Sequence, residues 1–385
     1  MACGAVDRDF GLSYSFTRYG DPTVMKAPSR IRTFLYGAVT VVIAVAALEI
    51  VASWMLLLHY RSSRLANFEA HDPSYLATVN LARRLGRLVG LAEPVAGGEQ
   101  TEPSPFFRAD RLLGYSAAPG VYTHSYGRRN AMTGQWEYHR NKVTIESDGT
   151  RWTGAPRPGK PTVHIFGDSW VFGTGVPDEL TFAARLREAL PDWNVRLSAL
   201  GGWALTQAHL NFDQLKEVRP DDIVVLGYAD YYDVRHVVAP SRLREIEAWL
   251  RTVGQPIPPF LLPKASLGPH GKLAFSYLDQ RCAALGDYCR QPDPSPSEMA
   301  AVTAGLVDHF AEASAAKVYL LHFAGSPDNP ALAKLSPKIG RISALRRDFD
   351  SVVQDDIMGF DGHPGPFWHY AISRKLLAAI AWQRP

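Results

Sequence analysis

The stretch that decides the reading is HIFGDSWVFGTG, His164–Gly175. An apolar, β-branched run (TVHIF) stops at Gly167, Asp168 and Ser169, and Gly173 and Gly175 follow closely. A strand that ends in a tight turn before a helix places a side chain at the carboxyl edge of a sheet. Open α/β sheets bind their ligands there. The neighbouring segments keep the same rhythm. VRLSAL, DIVVLGY and KVYLLHF are short apolar runs suited to parallel strands buried on both faces. FAARLREAL, LTQAHLNFDQLKEV, SEMAAVTAGLVDHFAEASA and HYAISRKLLAAIAW carry helical spacing between and after them. The expected architecture from Pro161 onward is a three-layer α/β/α fold on a parallel sheet.

A serine hydroxyl needs a base to become a nucleophile, and the base needs an orienting acid. Far downstream, FDGHPGPFWHYAI offers Asp361 and His363 on a loop before the last helix. A carboxylate two residues from a histidine can fix the imidazole tautomer and leave the second nitrogen to take the serine proton. The competing reading of Ser169 is a helix N-cap, and that of His363 an ordinary loop histidine. Two other motifs fail. GAPRPGKP, Gly154–Pro161, nearly spells a phosphate loop, but it precedes its strand and ends in proline. No Gly-x-Ser-x-Gly is present, so the elbow of α/β-hydrolases is missing.

These motifs resemble the SGNH/GDSL hydrolase family over Pro161–Arg384. GDSWVFGTG matches its first block and carries Ser169. ALGGWALTQ resembles the second, with Gly202 in place of the glycine whose N–H helps to form the oxyanion hole. DGHP matches the fifth, with Asp361 and His363. The third block is Gly-x-Asn-Asp, and LGYADYYDVR supplies Gly227 and Asp230 but puts Ala229 where the asparagine donor belongs. Loss of one such donor costs about 10²–10³ in rate. Arg235 and His236, close in sequence, are candidate replacement donors. The resemblance implies a flavodoxin-like SGNH domain in which the N–H groups of Ser169 and Gly202 hold the oxyanion. Trp170, Trp203, Tyr231, Tyr232 and Trp368 flank the motifs and could stack on a sugar ring, or simply pack around a cleft.

The rest of the chain sets the context. It has 385 residues, 46% hydrophobic and 21% charged, with a net charge of +3. That excludes a disordered chain, and the scattered basic residues speak against a nucleic-acid binder. FLYGAVTVVIAVAALEIVASWMLLL, Phe34–Leu58, carries only Glu49 as a charge. As a helix it is roughly 38 Å long, enough to span a bilayer core. It reads as a transmembrane helix, with residues 1–33 as a cytoplasmic tail and 59–110 as a stalk and Pro/Gly-rich linker. Residues 111–160 read as a β-rich lead-in, and 161–385 as the hydrolase-like domain with an insertion at 241–296. Lys26, Arg30 and Arg32 before the span outnumber Arg61 and Arg64 after it, which favours an extracytoplasmic domain. Cys282 and Cys289 would then face an oxidising compartment and could pair, leaving Cys3 reduced. Glu49 is a candidate contact with another membrane protein.

The expected activity is a membrane-anchored serine esterase or O-acyltransferase acting on acyl esters of extracytoplasmic carbohydrate. It needs no metal or organic cofactor. Two alternatives stand beside it. One is a catalytically silent SGNH domain that binds glycan or assembles a membrane polysaccharide complex. The other is a lipase or thioesterase at the membrane surface.

Overall fold

The computed structural model describes residues 96–129, 136–215, 218–252, 256–333, 335–350 and 363–381, together with scattered positions between 34 and 51. The chain divides into two units, Met1–Ser63 and Arg64–Pro385. In the first, the described positions are helical and their apolar side chains, Val41, Ile43 and Leu48 among them, are exposed. Among the described residues, no helix is long and apolar enough to cross a membrane. The rest of the expected span, Glu49 included, lies outside the described residues.

The second unit begins with strands β1 (Ala96–Glu102), β2 (Phe107–Asp110), β3 (Gly114–Ala117), β4 (Gly120–Arg129) and β5 (Trp136–Ile145). β1, β4 and β5 form an antiparallel sheet, and β2 pairs with β3. Ala96–Glu102 was read as linker because of its glycines and flanking prolines. Ladder bonds to β4 extend it instead, since tertiary pairing outweighs weak local preference. The following strands are β6 (Thr162–Gly167), β7 (Asn194–Ala199), β8 (Ile223–Ala229), β9 (Leu261–Leu267), β10 (Leu273–Asp279), β11 (Lys317–Ala324) and β12 (Ile339–Ser343).

Five of these make one parallel sheet in the order β12-β11-β8-β6-β7. Counted within that sheet, the order is 2-1-3-4-5, the doubly wound flavodoxin-like arrangement, whose switch point lies between its first and third strands. Those strands are β6 and β8. The apolar runs explain why they sit centrally. Val163, Ile165 and Phe166 of β6, and Val224, Val225 and Leu226 of β8, have no exposed surface. Each such side chain contributes about 1.5–3 kcal/mol by leaving water.

Helices α1 (Ser169–Phe172), α2 (Phe182–Ala189), α3 (Leu205–Phe212), α4 (Tyr232–His236), α5 (Pro240–Thr252), α6 (Pro296–Ala313), α7 (Pro330–Ala333) and α8 (Pro366–Ala381) complete the unit. The expected insertion contains α5, the antiparallel β9–β10 hairpin and a disulfide between Cys282 and Cys289. It reaches the main sheet region through Tyr115 of β3, which stacks on Phe260 with ring centroids 5.2 Å apart.

The lead-in is joined to the parallel sheet by Arg151, whose N–H donates to the Leu197 carbonyl of β7 at 3.0 Å. Its guanidinium is buried and donates from all three nitrogens. Nε donates to Asp178 at 3.1 Å, Nη1 to the carbonyls of Phe172 and Gly173 at 2.6 and 2.8 Å, and Nη2 to Val176 at 2.6 Å. Asn141 of β5 adds a bond to the Gly175 carbonyl at 2.7 Å. The loop that follows α1 is therefore held from the lead-in side. Arg151→Met leaves Asp178 buried without its cation. It is expected to lower unfolding free energy by about 3–5 kcal/mol, read from urea denaturation. A loss below about 1 kcal/mol, typical of a surface pair, would show that the clamp is dispensable.

Candidate active site

Ser169 is half-buried beyond the end of β6, two residues past the strand, at the switch point of the sheet. Its position depends on two glycines. A Cβ on Gly167 or on Gly227 of β8 would overlap the side chain of Val171 in α1. Only bare backbone lets α1 settle between the ends of β6 and β8. The N-cap reading belongs to Asp168, whose Oδ1 accepts the Trp170 N–H at 2.9 Å.

Asp168 has no exposed surface. Its Oδ2 accepts the Tyr231 hydroxyl at 2.7 Å and Arg235 Nη1 at 3.3 Å, and its own N–H donates to Tyr232 Oη at 3.0 Å. The Arg235 guanidinium also lies over the Tyr231 ring, 4.5 Å from its centre. Burial, and then the charge of Asp168, push the Tyr231 hydroxyl far above its ordinary range. It stays protonated and remains a donor. A buried carboxylate is tolerable only when its lone pairs are so occupied, and here the partners come from the segment after β8.

The second motif lies against the first. An ideal Cβ on Gly201 would stand 3.9 Å from Ser169 Cβ. Gly202 adopts φ +81°, and a Cβ there would come within 2.5 Å of Tyr115 Oη, so this turn admits only glycine. Tyr115 donates its hydroxyl to the Gly201 carbonyl at 2.7 Å, and its own carbonyl accepts the Trp203 indole N–H at 3.2 Å. Arg235 Nη1 reaches the Trp203 carbonyl at 3.3 Å. Thus Tyr115 and Arg235 brace the Leu200–Trp203 turn from two sides. Burial, ahead of any nearby charge, moves the Tyr115 hydroxyl up to about 12, so it too stays protonated.

Ala229 is fully buried at the end of β8 and has no polar side chain to offer. The adjacent Asp230 faces elsewhere. It meets His322 Nε2 at 3.0 Å and accepts the Ser326 N–H at 2.7 Å. Burial works against its ionised form, but these bonds outweigh it and hold the carboxyl below its ordinary value. A side chain at Gly325, whose φ is +126°, would overlap the Asp230 carboxylate. Asp230 thus ties the loop after β8 to the loop after β11.

Of the two candidate replacement donors, Arg235 is in place beside Asp168. His236 is not. Its ring has no exposed surface, Nε2 accepts the Leu205 N–H at 3.1 Å, and Nδ1 lies 3.0 Å from Thr303 Oγ1. Both nitrogens are engaged in the core. The flanking aromatics divide in the same way. Trp170 and Tyr231 are half-buried, whereas Trp203 is 4% exposed and Trp368 fully buried, packing edge-on to Trp170, Phe182 and Phe323. Apolar packing claims those two indole faces, so a sugar could not stack on them.

His363 is half-buried in the turn before α8. Burial, and then the positive charges of Arg151 and Arg185, hold the nearby His369 well below its ordinary value. His369 accepts the Phe182 N–H at 3.2 Å, and its Cε1 lies 3.2 Å from an ideal Cβ on Gly173, the residue that caps α1. Helix α8, which follows the fifth motif, is thus linked through His369 to the far end of the helix that Ser169 begins. Asp361 lies outside the described residues. The sequence reading missed Tyr115 and Arg151. Their only signal was the Tyr-rich, turn-rich character of the lead-in.

No family model and no curated relative matches the chain. Among solved structures, it is similar to TesA at 14% identity, covering 57% of this chain and 97% of that one, with a TM-score of 0.35. It is similar to the psychrotrophic esterase EstA from Pseudoalteromonas sp. at 13% identity, covering 58% and 98%, with a TM-score of 0.34. The likeness to AlinE4, an SGNH-hydrolase family esterase, is 12% identity over 57% of this chain and 82% of that one when its S13A variant is compared, with a TM-score of 0.26.

The buried histidines give the unit an acid limit. Burial, and then the charge of Arg235, lower His236 to about 3 from an ordinary value of 6.5. Between those values the unfolded chain takes up a proton that the folded one refuses, so stability rises with pH there. The urea midpoint is expected to fall as pH drops from 6.5 toward 4. A midpoint that is flat over this range would contradict the neutral core ring. The sheet order 2-1-3-4-5, with Gly167-Asp168-Ser169 at its switch point, gives the chain a doubly wound, flavodoxin-like α/β fold.

Proposed function

We propose that the chain is a serine esterase or O-acyltransferase with Ser169 as nucleophile. The observation that carries this is the approach of the Gly201–Gly202 turn to Ser169 at the open end of the sheet, both being held by bonds that do not use the serine hydroxyl. In this reading Ser169 attacks an acyl carbonyl, and its proton passes to His363. The oxyanion is held by the N–H groups of Ser169 and Gly202. The imidazolium then protonates the leaving alkoxide, and water or a sugar hydroxyl takes the acyl group in the second half-reaction. Asp361 orients His363. Arg235 is the candidate N–H donor in place of the asparagine amide that Ala229 lacks, and its Nη1 is already engaged by Asp168 and the Trp203 carbonyl.

The substrate we propose is an acyl ester of extracytoplasmic carbohydrate, with the chain anchored in a membrane by Phe34–Leu58. The exposed apolar side chains of the described helical positions support the anchor. The disulfide supports an oxidising compartment. Trp170 and Tyr231, both half-buried, are the aromatic residues we propose for a sugar ring, on the face of each not already covered by Phe323 or by Arg235. The silent-domain reading retains one supporting observation, the buried Ala229.

Treatment with a serine-directed phosphonate followed by mass spectrometry is expected to find the adduct on Ser169. Ser169→Ala should lose both the adduct and at least about 10³-fold in turnover of a simple acyl ester. A wild-type chain that is folded but never labelled would leave the silent domain as the better account. Tyr115→Phe frees the Gly201 carbonyl while keeping the ring. It is expected to lower kcat by about ten- to a hundredfold through misplacement of the turn, with little change in KM. Unaltered kcat would show that the hydroxyl has no positioning role.

A further inference from the structure

Beyond this site, two helices bring together three groups that the proposed chemistry does not use. His209 lies on α3, Asp213 follows at its C-terminal end, and His309 lies on α6. His309 Nε2 is 3.0 Å from one carboxylate oxygen of Asp213, and His209 Nε2 is 3.4 Å from the other. One ligand atom from each residue can be chosen so that all three lie within 4.8 Å of one another. Tetrahedral ligation at about 2.0–2.1 Å needs donor atoms roughly 3.3 Å apart, and the two measured separations bracket that value.

The residues fit the chemistry of a borderline cation. The two imidazole centroids are 3.9 Å apart. His209 is 4% exposed and packed against Phe275 and Phe310, which fix the plane of its ring. Asp213 is 43% exposed at its side chain, and His309 is 29% exposed. The cluster therefore opens to solvent on one side, giving a metal an entry path and a place for water as fourth ligand.

We infer that His209, Asp213 and His309 form a binding site for one divalent transition-metal ion of the zinc class, which fastens α3 to α6. The role is structural. The site would hold the C-terminal end of the helix whose N-terminal end leads out of the Gly201–Trp203 turn. Binding does not depend on Ser169 being catalytic.

The test is calorimetric titration of the full chain, stripped with chelator, using zinc chloride. Cobalt titration followed by visible absorption is run in parallel. One equivalent of zinc should bind and raise the thermal midpoint, and cobalt should give the intense bands of four-coordinate geometry. His309→Ala and Asp213→Asn should each weaken zinc by at least about tenfold, while Ser169→Ala binds as wild type. Both lost ligands lie partly in solvent, and circular dichroism of each variant checks its fold. Absence of binding at millimolar zinc, or equal affinity in folded His309→Ala, would overturn the assignment.

Discussion

The constraint on which the site depends is a carboxylate sealed from solvent. Asp168 is fully buried immediately before Ser169, and its charge is met by a backbone N–H, a tyrosine hydroxyl and a guanidinium. Desolvating an ion costs several kcal/mol unless its bonds are complete. Completion here requires the segment after β8 to sit against the turn after β6. Arg235 then has donors left to reach the Trp203 carbonyl, so the same cation draws in the turn after β7. One buried charge thus gathers three loops from neighbouring strands of the sheet.

Much of this was legible in the sequence, for a physical reason. Strands buried on both faces must be continuously apolar, and TVHIF, DIVVLGY and KVYLLHF announce themselves. The β12 edge of the sheet was not legible. IGRIS separates its two isoleucines by Gly340 and Arg341, without a period of two, and most of its residues are partly or fully exposed, so its pattern is that of a loop. The helix read over Leu205–Val218 ends earlier, at Phe212. Asp213 occupies its C-cap, and Asp213 and Gln214 are exposed, so the buried stripe stops with Phe212.

The site was legible only where chemistry and local backbone coincide. Ser169, Gly202 and His363 lie in turns whose glycines and prolines mark them. Tyr115 and Arg151 act across long loops through single side chains, and no local pattern encodes such a contact. The aromatic residues near the motifs were legible as aromatic, but not as exposed or buried. Trp368 fills the space under α1 because helix α8 turns its apolar face inward there.

The Arg151 clamp redraws where the folded body begins. A boundary at residue 161, suggested by the change in sequence rhythm, would pass between a cation and its anion. It would also sever Tyr115 from the glycine turn that it supports. The strands before residue 161 are thus a structural wall of the α/β unit, in contact with two of its three motif loops, and they cannot be exchanged like a linker. Variation in that wall offers a route by which distant, unremarkable positions could retune the geometry around Ser169 while leaving every motif unchanged.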